Sequence, residues 1–495
     1  MRASKTVVQS GLFVFLLWTL GGCGGGSSSS AVSAAPPALS AKNLNLIFVV
    51  SEDLAFNGAG DIDLLTANLT NQGFQRSLRM ATFLRRRLLG GKNVTAVYAV
   101  EPMTHLQTAS GYPDIVAVET IQEFALQNQV TLTADSTTYT ANSFPVNVSY
   151  APAAIPSGVA TPAVPCLNCQ GIDFADQGGD NETLVNGIIS ANVPGFYVFS
   201  APWEIVSALL ASINSGKGNN LAVPTTYAGP NIIYAITITP SGTAHLLSFN
   251  SNVNPQSTYP ALPEPGAMST PCTAQAHFTI SVTAASMGVS IPPTINKSET
   301  VYLIRHAEAH PILSFEDGNY VCAGQWRALE LPNFLPDGLG MMPTPQQVYS
   351  IDPAQVAPGG TNAAGDSAWS YVRPSLTAEP YAIANGLPFG LAANFELLAM
   401  DSPLLTSNFF FTGGQFSNQV LLVAYEHDHI PPTVNALLGS YFPGGGGPVP
   451  APGWPDDDYD TIWTVTLDAN GNLSVDNSMC EGIASATLPV TCPEF

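Results

Sequence analysis

Seven histidines serve the 495 residues of this chain, and two of them, His306 and His310, stand in "TVYLIRHAEAHP" (300–311), behind a run of apolar residues that reads as a buried strand. In an open α/β sheet, ligands sit beyond the carboxyl ends of the strands, so Arg305 and His306 emerge where chemistry is done. Neutral imidazole is a competent nucleophile near neutral pH, and arginine holds phosphate oxygens through paired donors without losing its charge. Displacement at phosphorus needs both: a nucleophile in line with the leaving oxygen, and cationic donors around the equatorial oxygens. Further along the chain, "GQWRALELPNFL" (324–335) brings a helical pattern with an arginine, "YVRPSLTAEPYA" brings Arg373, and "NQVLLVAYEHDHIPPTVNALLG" ends another apolar strand in His427, Asp428 and His429. Read alone, these residues also allow loop histidines held by backbone carbonyls, or a metal cluster of His427 and His429 with His306 and His310.

Taken in order over about 300–470, these stretches resemble the signature of the histidine phosphatase superfamily, the phosphoglycerate-mutase-like fold. In that family the first strand ends in Arg-His-Gly, often followed by an acidic residue. Here the run is "RHAE", with Ala307 in the glycine position. A helix beginning Gly-x-x-Arg-Ala follows, then a second arginine, with Thr377 and Ala378 in register here, then a second histidine in a Glu-His-x-x-Ile-Pro variant. The resemblance implies that His306 is the nucleophile that becomes phosphohistidine, and that Arg305, Arg373 and His427 bind the transferring phosphoryl group, with no metal and no cofactor. The acid phosphatases and phytases of the superfamily take their proton donor directly after the second histidine, which implies Asp428; that branch carries a second arginine where this chain has Ala309. Glu308, Glu379 and Glu396 are other candidate donors, and His105, His245 and His277 fall outside the pattern as structural residues.

The elements that must hold these residues occur twice. "GFQRSLRMATFL" (73–84) aligns with 324–335, "AVYAVEP" (96–102) with "QVYSIDP" (347–353), "WEIVSALLAS" (203–212) with "PPTVNALLGS" (431–440), and "NIIYAITITPSG" (231–242) with "DTIWTVTLDANG" (460–471). Strands alternating with helices at this pace predict two homologous α/β domains, each a mostly parallel sheet with helices on both faces, at 44–250 and 296–495. A proline-rich linker spans 251–295, and 131–170 reads as an insertion in the first copy. At the catalytic positions the first copy carries Val50 and Ser51 for Arg-His, Thr104 for the second arginine, and Phe199 or Ser200 for the second histidine. The first domain is therefore expected to be a noncatalytic partner.

Arg2 and Lys5 precede "GLFVFLLWTL", about half the length of a membrane span, which predicts a signal peptide over 1–22. "LGGC" resembles the lipobox of bacterial lipoproteins, which implies lipidation of Cys23, a flexible Gly/Ser tether over 23–43, and a place in the cell envelope, in the outer membrane if the host has one. The six other cysteines suit disulfides in an exported protein, with fifteen pairings open; "CLNC" (166–169) lacks the second pair that a zinc site would need. A net charge of −22, from 14 Lys+Arg against 36 Asp+Glu, excludes nucleic acid as a natural partner and leaves the lipid anchor as the contact with membrane. The arginines of "LRRRLLG" (84–90) close a helix, where the macrodipole favours cations. The expected activity is hydrolysis of a phosphomonoester on a small molecule or a phosphoprotein. The competing expectation is an inactive phosphatase-like binding lipoprotein, which Ala307 and the acidic surface favour.

Overall fold

The structure is a computed structural model that describes residues 39–495 apart from 57–59, 129, 135–136, 142–145, 149–171, 175, 177–178, 217–219, 264–275, 311–316, 355–369, 393–401 and 449. The first half runs through Leu44–Val50 (β1), Asn71–Phe83 (α1), Ala96–Ala99 (β2), Leu106–Gln107 (β3), Tyr112–Pro113 (β4), Val116–Leu126 (α2), Val130–Ala134 (β5), Thr137–Ala141 (β6), Val146–Val148 (β7), Asp180–Ala191 (α3), Gly195–Ala201 (β8), Trp203–Gly216 (α4), Ile232–Ile238 (β9) and Ala244–Asn250 (β10). The second runs through Thr279–Val282 (β11), Glu299–Arg305 (β12), Cys322–Leu339 (α5), Gln347–Ser350 (β13), Arg373–Asn385 (α6), Phe389–Leu391 (β14), Ser402–Phe411 (α7), Val420–Tyr425 (β15), Ile430–Ser440 (α8), Thr461–Leu467 (β16) and Leu473–Cys480 (β17).

Two large sheets result, of order β10-β9-β1-β8-β2-β7 and β11-β17-β16-β12-β15-β13-β14, beside the two-stranded β3-β4 and β5-β6. Setting aside the edge strand β11, six strands correspond in order and in direction. β1 pairs with β8 and β12 with β15 in parallel, whereas β9 and β16 join them antiparallel. Two strands lie in stretches that the sequence assigned elsewhere. β7 belongs to the sheet although it falls in the predicted insertion, and β11 extends the second sheet from within the predicted linker.

Every residue of β1 is buried, as expected for a strand covered on both faces. Ile47 and Val49 share a cluster with Met80, Val118 and Ile121 of α1 and α2, while Leu46, Phe48 and Val50 meet Val185, Val206 and Leu210 of α3 and α4. The second half repeats this alternation, with Tyr302 and Ile304 toward α5 and α6, and Val301 and Leu303 toward Phe411 and Val434 of α7 and α8. Side chains from α1, α2, α5 and α6 meet in one cluster, so the two sheets share a central helical layer and the described residues form one compact unit. A disulfide from Cys322 to Cys492 ties the start of α5 to the carboxyl terminus, and Cys480 is also disulfide-bonded. Cys23, Cys166, Cys169 and Cys272 lie outside the described residues.

Corresponding helices are seated alike. A Cβ on Gly73 would lie 2.1 Å from the Asp61 carbonyl oxygen, and one on Gly324 would lie 2.6 Å from that of Glu308, so α1 and α5 both abut the loop that follows the central strand. One turn on, Arg76 Nε donates to Asp61 (2.9 Å), and Arg327 Nε donates to both carboxylate oxygens of Glu308 (3.0 Å each). Arg327 is fully buried and also binds Glu481 (2.6 Å) and the Ile483 carbonyl (2.7 Å), so it locks α5, the loop after β12 and the chain end together.

Across the central layer, Gln122 Nε2 donates to Asn319 Oδ1 (2.7 Å), and two acid pairs face each other: Glu101 with Asp352, and Glu119 with Glu379. Burial is the main cause that pushes Asp352 up to about 6 and Glu119 up to about 7, with Glu101 and Glu379 held well above the carboxylate range by burial and by the facing acid. The folded state therefore keeps protons that the unfolded chain releases near pH 4, and this contribution, present below that pH, is lost as pH rises through about 6 to 7. Each of the two shifts, at Asp352 and Glu119, is on the order of 3 kcal/mol. Thermal denaturation should show Tm falling between pH 4.5 and pH 7.5, with Glu119→Gln flattening the fall. A Tm that rises across this interval would show that the pairs are not protonated in the fold.

Candidate active site

β12 and β15 are neighbours, so their carboxyl ends deliver His306 and His427 to one place. Arg305 pairs with Tyr425, and the His306 N–H donates to the Tyr425 carbonyl (2.9 Å). His306 is 2% exposed, and its Nδ1 faces the Ala307 carbonyl oxygen at 2.8 Å. This bond makes Nδ1 the protonated nitrogen and leaves the Nε2 lone pair for attack. Burial first, and then Arg373 and Arg305, hold the imidazole well below its ordinary pKa, so it is neutral. The φ of Ala307 is not positive, so its backbone does not require glycine. Its N–H donates to Thr377 Oγ1 (2.8 Å), and that hydroxyl donates to the Arg373 carbonyl (2.7 Å), which pins the nucleophile loop to the first turn of α6.

Arg305 and Arg373 are 5% and 6% exposed. Arg305 Nη1 donates to the Asp456 and Asp458 carbonyls (2.5 and 3.2 Å), and its guanidinium lies 3.9 Å from the centre of the Tyr459 ring. Its Nε has no hydrogen-bond partner among the described residues. Arg373 lies over Tyr371 at 4.6 Å, and Tyr371 and Tyr459 both flank the His306 ring, at 6.0 and 6.2 Å between centroids. The loop before β16 is firm: Asp458 accepts from the Thr461 hydroxyl (2.6 Å) and from the Asp460 and Thr461 N–H groups, and its carbonyl takes the Trp454 Nε1–H (2.8 Å). Two buried guanidiniums beside a neutral imidazole make a pocket suited to an anion.

Glu426 stands between the strand and His427. Its carboxylate takes His427 Nδ1, His429 Nδ1 (2.9 Å) and the Asp428 N–H (2.7 Å). It stays ionised well below the ordinary carboxylate range: burial raises its pKa, but hydrogen bonds from the two histidines outweigh that. His427 Nε2 then faces Asp456 (3.3 Å) and Asp428 (3.7 Å), whose side chains are both exposed. Ligand atoms of His306, Glu426 and His427 lie within 4.8 Å of one another, spacing that a metal ion could use, but Arg305 and Arg373 act electrostatically on the same imidazole and would repel a cation. His310 sits apart from that trio, 3.7 Å from Asp317.

The structure thus brings together His306, His427, Arg305, Arg373 and Asp428. Of the other donor candidates, Glu308 is held by Arg327, Glu379 faces Glu119 in the central layer, and Glu396 lies outside the described residues. Sequence reading missed the part played by Glu426, whose signal was an acid directly after the strand with histidines one and three residues later. It also missed Tyr459 and the 454–460 loop, which act through ring faces and backbone carbonyls that have no sequence signature.

Two register assignments in the first half are corrected. The Ser51 N–H donates to the Ala201 carbonyl (2.9 Å) just as His306 does to Tyr425, so Ser51 lies in the first sheet where His306 lies in the second, and in that register Trp203, rather than Phe199 or Ser200, lies where His427 does. Thr104 lies in a 3-10 turn after β2, well before α2, whose first residue is Val116; Asp114, two residues earlier, accepts from the Val116 N–H (3.1 Å). The intervening β3–β4 hairpin displaced the alignment.

No family model matches the sequence, and no curated protein matches it. Among solved structures the chain is similar to a phosphoglycerate mutase from Plasmodium falciparum, at 14% identity over 36% of this chain and 89% of that one with a TM-score of 0.23. It is also similar to the phosphohistidine phosphatase SixA from Agrobacterium tumefaciens, at 17% identity over 34% and 92% with a TM-score of 0.20. A third is a mycobacterial glucosyl-3-phosphoglycerate phosphatase in complex with inorganic phosphate, at 13% identity over 34% and 89% with a TM-score of 0.19.

Proposed function

We propose that the chain hydrolyses phosphomonoesters through a phosphohistidine formed on His306. The observation that carries this reading is the buried, neutral His306, with Nδ1 engaged by a backbone carbonyl and the guanidiniums of Arg305 and Arg373 acting on its ring. Nε2 attacks phosphorus, the arginines and His427 neutralise the equatorial oxygens, and the leaving alkoxide takes a proton; water then attacks the phosphohistidine and returns Nε2. Asp428, exposed beside His427, is the proposed donor, and Asp456 occupies the same mouth. We read the two halves as copies of one unit on their shared strand order and their matched Gly–Arg–acid contacts, the first having lost the catalytic residues. Export with a lipid on Cys23 in the cell envelope, and a phosphorylated small molecule or phosphoprotein as substrate, complete the proposal.

Purified chain should release phosphate from an aryl phosphate, with activity insensitive to chelators. Asp428→Asn should slow an alkyl ester, which needs protonation, by at least about tenfold more than a nitrophenyl ester, which does not. Loss of activity on chelation would replace this mechanism with a metal-dependent one at His306, Glu426 and His427.

A further inference from the structure

At the carboxyl ends of the first sheet's parallel strands, where the second half gathers cations, the first half gathers anions. Asp53 follows β1, His105 and Asp114 lie in the segment between β2 and α2, and Glu204 opens α4 directly after β8. His105 Nδ1 lies 2.9 Å from Asp114 Oδ2, and its Nε2 lies 3.3 Å from Asp53 Oδ2. The ring is fixed by stacking on Phe174, 3.5 Å between centroids and 4° from parallel. Asp53 and Asp114 are 2% and 1% exposed. In each, one oxygen is spent on a backbone N–H, of Ala55 (2.7 Å) and Val116 (3.1 Å), while Oδ2 faces the His105 ring. Among the described residues Glu204 Oε2 is buried without a hydrogen-bond partner, and no lysine or arginine ion pair reaches any of these carboxylates.

We propose that Asp53, His105 and Asp114 form a binding site for a divalent transition-metal ion of the zinc class. Ligand atoms of the three lie within 4.8 Å of one another. Asp114 on Nδ1 fixes the tautomer that presents Nε2 beside Asp53 Oδ2, the carboxylate–histidine arrangement that orients metal-binding imidazoles. Imidazole with carboxylate oxygens suits zinc or manganese better than calcium or magnesium, which prefer all-oxygen shells. Glu204 supplies a further carboxylate facing the same cluster. The inference stands on the first half alone and does not need the phosphatase reading.

The test is equilibrium dialysis of the full chain, stripped with chelator, against Zn2+, with bound metal counted by emission spectroscopy. The native chain should hold an ion that His427→Gln retains and that His105→Gln and Asp53→Asn lose, with the binding midpoint weakened by at least about tenfold. Zinc should raise the Tm of the native chain and leave that of His105→Gln unchanged. Melting in chelator identifies any variant that fails to fold, in which case the other decides. Absence of bound zinc from the native chain, or loss of the ion only in His427→Gln, would overturn the site and leave His105 clasped between two carboxylates as a structural contact.

Discussion

His306→Ala should abolish turnover, by at least about a thousandfold, and with it the labelled adduct that an alkaline quench traps from the native chain. Phosphohistidine survives base and is lost in acid, so the stability of the adduct reports the atom that carries the phosphoryl group. The imidazole is prepared for attack: its Nδ1 is occupied by the Ala307 carbonyl, and burial and two arginines suppress its basicity against the opposing pull of the Glu426 carboxylate. A small, buried, apolar replacement leaves the loop held by Thr377, so the loss should be chemical, with the melting temperature little changed. Normal labelling of the alanine variant would remove His306 from the mechanism.

Arg305→Ala and Arg373→Ala should each lower kcat by about two orders of magnitude or more, the loss typical of removing one donor to a transition state. Ser51→Ala and Thr104→Ala should leave turnover near the native value, since Ser51 offers one hydroxyl where His306 offers a base, and Thr104 caps its own turn and holds the Phe174 N–H. Arg305→Lys should rescue little. A single ammonium cannot both satisfy the Asp456 and Asp458 carbonyls and turn a second donor toward phosphate, and it loses the planar contact with Tyr459. Equal losses from both sets would mean that the two halves build one composite site.

Much of this was legible in the sequence, for identifiable reasons. Buried parallel strands are continuous apolar runs, and "LNLIFVV" and "VYLI" have no reading as solvent-facing segments. Gly324 and Arg327 were legible as a pair at helical spacing, although what they hold, the loop backbone and Glu308, appears only in three dimensions. Thr104 misled because the alignment was carried through a short hairpin that has no partner among the described residues of the second half, and β11 was hidden because its four residues follow a proline-rich stretch. His105 was set aside as structural because its carboxylate neighbours lie before and after it in the chain, joined by folding rather than by spacing.

The central helical layer joins the two halves within one polypeptide. Association of separate subunits costs translational and rotational entropy and weakens on dilution, whereas here both partners of the apolar contact are delivered by one polypeptide at an effective concentration that dilution leaves untouched. The first half therefore has a packing role independent of any chemistry of its own. It is the permanent lining of α5 and α6, and its loss would bare Leu329, Ile383 and the carboxyl of Glu379 to water, turning an internal surface into an adhesive one.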